Sequence, residues 1–309
     1  MIITVTLNPA LDKTMTMPAF AVNTVNRVEN IRMDPGGKGI NVSKSIKALG
    51  GKTLAMGILG GSTGDYLKKA LDTMEIPNDM VMTSEPTRVN IKIVDPILKT
   101  ITDLNEPGKQ VDQELLEAVW NKLTAVVKPG DTVVLAGKNP PGIEDGELAR
   151  WVRQLKQMGV RVCVDTVGEA MRLALKEGPS IVKPNRAELS EILGTHLVSE
   201  TQILEAGREL VSMGVGLAAI SMGAQGAIFV TKDQALYASG PKVDVRSTVG
   251  AGDAMMAALA HYTAANCSLE EIARRAVAVG SATVTYTGSQ CAQLDRVLPL
   301  IERIKLEVL

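Results

Sequence analysis

The chain has 309 residues, 45% of them apolar but only 3% aromatic, so it can bury a large core made of Val, Ile, Leu, Ala and Met. Its 33 basic and 34 acidic residues nearly cancel, to a formal charge of −1, which argues against the broad positive surface a nucleic-acid partner needs. Two separated histidines, His196 and His261, and three scattered cysteines, Cys163, Cys267 and Cys291, without CxxC spacing, argue against an imidazole or thiolate metal site.

In chain order, residues 2–7 (IITVTL) form a β-branched run stopped by Asn8-Pro9, which predicts a strand. Residues 38–49 carry apolar Ile40, Val42, Ile46 and Leu49 at helical spacing and close on Gly50-Gly51, which predicts a helix. A strand at 53–59 and helices at 64–74 and 112–127 follow, then a strand at 132–136, a helix at 145–158 and a strand at 160–165. Cys163 lies in this last strand (VRVCVD) and reads as a buried structural thiol. Further strands are expected at 180–183, 217–222, 226–230 and 234–239, with helices at 186–193, 199–213, 251–265, 269–282 and 294–306.

This alternation implies right-handed βαβ crossovers and a mainly parallel sheet covered on both faces, an α/β fold whose ligands bind beyond the carboxyl ends of the strands. Two stretches break the pattern. Residues 12–35 are polar without a helical stripe, and residues 87–104 read as strand, turn at Asp95-Pro96, and strand. Together they predict a small separate β-sheet inserted into a domain formed by 1–11, 36–86 and 105–309. The uncharged run from Leu210 to Thr231 is long enough to span a bilayer, but its glycines and the break at Met222–Gly226 predict two strands about a turn. With no basic segment leading into a long apolar one at the start, the expectation is a cytoplasmic protein with no membrane contact.

The strongest local signal is Ser247-Thr248-Val249-Gly250-Ala251-Gly252-Asp253 opening an apolar helix. Glycines at a helix start bring free backbone N–H groups and the positive dipole end close to a ligand, an arrangement suited to phosphoryl oxygens. Asp253 on the first turn can be a plain cap. A carboxylate beside an anion nest, however, repels the ligand the nest attracts unless it takes a proton from an attacking hydroxyl. A second glycine-rich loop, Gly36-Gly37-Lys38-Gly39-Ile40-Asn41, places one cation and one amide at exposed backbone, and no Walker A sequence occurs anywhere. In Lys183-Pro184-Asn185-Arg186-Ala187-Glu188, Asn185 and Glu188 share a helix face. They read either as a capping box or as a carboxylate holding hydrated Mg²⁺ beside nucleotide phosphates. Ser221-Met222-Gly223-Ala224-Gln225-Gly226 is a strand–turn–strand, and Asp12 follows the first strand.

The GGKGIN loop, the VKPN-x-x-E stretch, the S-x-G-x-x-G hairpin and the T-x-G-A-G-D sequence, in that order and spacing, resemble the ribokinase-like sugar kinases, or phosphofructokinase B family. The resemblance covers essentially the whole chain. TVTLNPALD at the start, TRVN at 87–90 and LNEPG at 104–108 resemble most closely its 1-phosphofructokinase and tagatose-6-phosphate kinase branch. It implies a three-layer sandwich with a β lid that pairs between subunits as a homodimer, and an enzyme using ATP and Mg²⁺ to phosphorylate a sugar phosphate. By the same resemblance Asp253 matches the general base and Gly250, Ala251 and Gly252 the anion hole. Asp12, Gly37, Lys38 and Asn41 match sugar and loop contacts, and Arg88 a grip on the substrate phosphate. Lys183, Asn185 and Glu188 match nucleotide and magnesium positions, while Ser221, Gly223 and Gly226 match the nucleotide-phosphate region.

Where the family commonly reads GSLP, this chain reads Gly137-Lys138-Asn139-Pro140, so Lys138 stands in place of a phosphate-contacting serine and joins Arg88 and Lys38 as an expected phosphate ligand. The stretch Thr87–Lys92 looks more like the 1-phosphofructokinase form, and that resemblance implies fructose 1-phosphate as substrate over tagatose 6-phosphate or fructose 6-phosphate. Two other readings stand against this one: a sugar-phosphate sensor with the same fold, which the intact Asp253 nest disfavours, and a Rossmann dehydrogenase, which lacks its GxGxxG here.

Overall fold

The computed structural model describes residues 1–309. The β-branched run gives β1 (Ile2–Thr6), followed by β2 (Ala10–Thr16), β3 (Asn30–Gly36), α1 (Lys38–Ala48), β4 (Thr53–Gly60) and α2 (Gly61–Thr73). Then come β5 (Asn78–Thr83), β6 (Arg88–Asp95), β7 (Thr100–Asn105), α3 (Gln113–Val126), β8 (Thr132–Ala136), α4 (Gly146–Gln157), β9 (Arg161–Asp165) and α5 (Gly168–Leu175). The remainder is β10 (Ile181–Val182), α6 (Arg186–Leu193), α7 (Glu200–Ser212), β11 (Leu217–Ser221), β12 (Gly226–Val230), β13 (Ala235–Ser239), α8 (Ala251–Ala264), α9 (Leu269–Thr283), α10 (Leu294–Ile301) and β14 (Leu306–Val308).

Ten strands form one sheet in the order β14-β13-β12-β11-β10-β9-β8-β1-β4-β5. From β11 through β5 all neighbours are parallel, and β12, β13 and β14 add antiparallel strands at one edge. Alternation within each strand serves two cores. Ile3, Val5, Val133, Leu135, Val162 and Val164 join the face covered by α3, α4, α5 and α7. Ile2, Val134 and Cys163 join the other, against α8 and α9. Burial pushes the Cys163 thiol up to about 12, so it stays protonated and acts as a small apolar side chain.

The two irregular stretches pair into a second sheet, β3-β2-β6-β7, antiparallel except where β2 runs parallel to β6. Leu210–Thr231 is the end of α7 followed by the β11–β12 hairpin, and no helix is long and apolar enough to cross a membrane.

The structure corrects the chain-order expectations in three places. The last helix ends at Ile301 instead of 306, and Leu306–Val308 turns back as β14 onto β13. Helix α5 and strand β5 were not anticipated: the first has only eight residues, and the second is an edge strand whose period is broken by Asn78 and Asp79.

Candidate active site

The second glycine loop, the residues after β10 and the start of α8 meet above the carboxyl ends of β9 and β10, with the end of β11 beside them. Gly250 has φ +79°, a left-handed conformation that only glycine enters freely, and this turn starts α8. A Cβ on Gly252 would lie 3.1 Å from Nζ of Lys183, so the absence of a side chain there leaves the helix N-terminus open to the ammonium of the residue that follows β10. Backbone N–H groups, the dipole end and a lysine thus converge on one spot, which is an anion site by construction.

Asp253 does not cap this helix, whose N-terminus has no side-chain hydrogen bond. Its carboxylate turns inward, 8% exposed, and Asn41 Nδ2 donates to its Oδ2 at 2.8 Å. Burial raises its pKa to about 6, and the nearby Asp165 charge adds to the rise, against the opposing pull of Lys38, the Asn41 hydrogen bond and Lys183. A carboxylate poised near neutrality inside an anion-binding site is placed to accept a proton.

Asp165, at the end of β9, is the residue that sequence reasoning missed. It is 3% exposed; Lys38 Nζ donates to its Oδ1 at 2.8 Å, while Lys183 Nζ stands 3.6 Å from Oδ2. Burial alone would push this carboxyl up, but the two ammonium groups outweigh it and hold it below the ordinary value. Lys38 is raised in turn: burial disfavours its charge, yet Asp165 overrides that penalty. The available signal was a carboxylate directly after the apolar run Val162-Cys163-Val164, at the carboxyl end of a strand where ligands are expected.

A cavity of about 270 Å³ opens between this cluster and the small sheet, lined among others by Asp12, Lys38, Asn41, Arg88, Asn90 and Asp253. Gly37 is also on its wall. Asn90 Nδ2 donates to Asp12 Oδ1 at 3.0 Å, which opposes the upward push that burial gives the Asp12 carboxyl. Arg88, the first residue of β6, donates to the backbone oxygens of Glu106 at 2.7 Å, Asn8 at 3.2 Å and Pro9 at 3.3 Å. These bonds fix its guanidinium at the rim where β1 ends. Lys138 is exposed and is not among the residues lining this cavity.

On the other side, Asn185 Oδ1 accepts from the Glu188 N–H at 2.9 Å and Glu188 Oε2 accepts from the Asn185 N–H at 2.8 Å, a complete capping box at the start of α6. Glu188 remains close enough to favour the charged form of Lys38. Ser221 ends β11 and bridges to Asn185. Gly223 opens a single 3₁₀ turn, and Gly226 starts β12 where an added Cβ would meet the Ala238 carbonyl at 2.0 Å.

The chain is 38% identical over 309 residues, all of it and 98% of the relative, to the 1-phosphofructokinase of Rhodobacter capsulatus. It is 37% identical over 281 residues, 89% of this chain and 88% of the relative, to that of Xanthomonas campestris. Among solved structures, phosphofructokinase-2 of Escherichia coli in complex with substrates and products superimposes with a TM-score of 0.94 at 31% identity, covering 98% of each chain. The model of the pfkB family of carbohydrate kinases matches residues 5–295, and the chain belongs to that family.

Proposed function

We propose that the protein transfers the terminal phosphoryl group of ATP to the 6-hydroxyl of fructose 1-phosphate, giving fructose 1,6-bisphosphate. The observation that carries this reading is Asp253, buried beneath the Gly250–Gly252 turn with its pKa raised to about 6 and facing a cavity rimmed by Arg88. Full-length similarity to proteins named 1-phosphofructokinase supports the choice of sugar.

Phosphoryl transfer is mostly positioning and charge neutralisation. Arg88 binds the phosphate at C1, with Asp12 and Asn90 on the sugar hydroxyls, and the 6-hydroxyl is presented to Asp253. As the oxygen attacks phosphorus, Asp253 takes its proton, the Gly250, Ala251 and Gly252 amides receive charge on the transferred phosphoryl, and the bond to the ADP oxygen breaks. Lys183 and Lys38 add positive charge on either side, both held by Asp165. Asn185, Ser221, Gly223 and Gly226 line the nucleotide's phosphate path. The four-stranded sheet built from residues 12–35 and 87–104 is the lid that excludes water, and it also joins two copies of the chain.

No group of three His, Cys, Asp or Glu side chains is arranged to enclose a metal ion. The site fits magnesium brought by the nucleotide, because such an ion keeps its waters and asks for one or two carboxylates. Glu188, with Oε2 held by the Asn185 N–H and Oε1 free, would hold it. Bound there, the ion neutralises charge on the phosphate oxygens.

The test is kcat/KM for fructose 1-phosphate, fructose 6-phosphate and tagatose 6-phosphate in one coupled assay. Fructose 1-phosphate should lead by at least about tenfold, or 1.4 kcal/mol of differential transition-state binding. A lead for either 6-phosphate overturns the choice of sugar, and no turnover with any of them overturns the kinase reading.

A further inference from the structure

Lys44 lies in the second turn of α1, 9% exposed, with no carboxylate bonded to it. A buried ammonium is costly unless its protons are matched. Here all three are: Nζ donates to Pro35 O at 2.9 Å, to Asn41 Oδ1 at 3.0 Å and to Ser289 O at 3.0 Å. These acceptors come from three segments: the end of the lid strand β3, α1 itself, and the loop between α9 and α10.

One of the three bonds has a chemical consequence. A side-chain amide can rotate by half a turn and exchange its oxygen for its nitrogen, and nothing in its shape decides between the two. An ammonium only donates, so Lys44 requires the oxygen of Asn41 to face it. The Asn41 NH₂ then points the other way and donates to Asp253 Oδ2 at 2.8 Å. Lys38, Asn41 and Lys44 are spaced three apart on one face of α1, so one helix delivers the cation, the amide and the residue that orients the amide.

We propose that Lys44 is a positioning residue for the phosphoryl transfer, locking the Asn41 amide with its NH₂ toward Asp253 and so holding the carboxylate in the orientation that accepts the substrate's proton. This rests on the kinase reading above. Without Lys44 the amide can present its oxygen to Asp253, which repels the ionised carboxylate and welcomes the protonated one. The charged groups around Asp253 are Lys38, Asp165 and Lys183, and those around Lys44 are Asp12 and Asp34, with the Cys291 thiol nearby. All of these remain when Lys44 is replaced.

The experiment compares Lys44→Met, Lys44→Arg and Asn41→Leu with the double variant Lys44→Met/Asn41→Leu, using ATP and the preferred sugar phosphate. Lys44→Met should lower kcat about 10- to 100-fold, part of what a positioned base contributes, while KM for ATP stays within about threefold. The acid limb of its pH profile should move up by about one pH unit, as expected on losing a charge-assisted hydrogen bond to the carboxylate. Lys44→Arg should recover most of kcat. In the Asn41→Leu background Lys44→Met should cost less than about a further twofold, because the two act as one unit.

Unchanged kcat and acid limb in Lys44→Met, or losses that multiply in the double variant, overturn the proposal. If Lys44→Met does not fold, Lys44→Gln decides: its amide offers an oxygen as readily as an NH₂ and so no longer dictates which way Asn41 faces, and an unmoved acid limb there overturns it equally. Failure of the kinase reading shows separately, as absence of turnover in the unmodified protein.

Discussion

Lys38 and Asp165 join the second glycine loop to the end of β9 through an ion pair of 2.8 Å, and Lys183 shares the same carboxylate from 3.6 Å away. One buried negative charge therefore sets the position of two cations that arrive on different loops. Asp165→Asn keeps the shape and removes the charge, leaving two ammonium groups, one of them 5% exposed, without it. Stripping one partner from a buried pair costs about 3–5 kcal/mol, so urea unfolding at pH 7 should show a loss of that order. The folded carboxyl lies below its ordinary value, so its stabilising effect is present above the ordinary carboxylate range and fades as pH falls through the depressed one. The gap between the two proteins should close in acid; a gap that persists there contradicts the assignment.

Asp253 makes the opposite prediction. Its folded pKa of about 6 lies above its ordinary 3.8, so between these values the folded state keeps a proton that the unfolded state has lost, and stability falls as pH rises across that window. Asp253→Asn should therefore be more stable than the parent by about 2–3 kcal/mol at pH 7–8, with the difference gone below about pH 3. Its kcat should fall about 10²–10⁴-fold while ATP still binds. In the parent, kcat/KM should decline as pH drops below about 6, when the acceptor is already protonated. Wild-type kcat in the variant at saturating substrates would remove Asp253 from the chemistry.

The order of elements was legible because β-branched runs and helical stripes alternate at lengths that leave few choices, and the four motifs, three of them glycine-bearing, fell where strands end. What stayed hidden depends on distant partners. Strand β14 is three residues long and exists because β13 offers an edge. Asp165 is only the last residue of a strand until Lys38 and Lys183 are placed around it, and the role of Lys44 depends on carbonyls that Pro35 and Ser289 bring from other segments. Lys138 shows the converse: the local departure in sequence was visible, but its exposed position outside the cavity lining was not.

Arg88 is held at the cavity rim by three backbone carbonyls and by Asn90 Oδ1 at 3.1 Å, so its guanidinium is placed before any substrate arrives. Charge-assisted bonds to phosphate are worth roughly 1.5–3 kcal/mol. Arg88→Ala should raise KM for the sugar phosphate by about 10- to 100-fold and leave KM for ATP within about threefold. A selective loss of ATP affinity would place Arg88 on the nucleotide instead.

The small sheet has two unlike faces, and the register shows how they arise. Asp34, Asp12, Asn90 and Asn105 pair in one row across its four strands, as do Arg32, Thr14, Lys92 and Asp103, giving a polar face over the cavity. The alternate rows, Met33, Lys13, Ile91 and Leu104, then Ile31, Met15, Ile93 and Thr102, form a largely apolar opposite face. Ile31, Met33 and Leu104 on that face are 51%, 38% and 53% exposed in the single chain. An apolar sheet face of this kind is a natural seat for a second copy related by a two-fold axis, because the same patch then covers itself. The protein should sediment as a dimer, twice the 32.8 kDa of one chain. Ile31→Glu combined with Leu104→Glu should convert it to a monomer without unfolding the core, and should raise KM for the sugar phosphate because the same sheet carries Asp12, Arg88 and Asn90. A parent protein that sediments as a monomer at micromolar concentration, or a double variant that stays dimeric, would show that this face is not the contact.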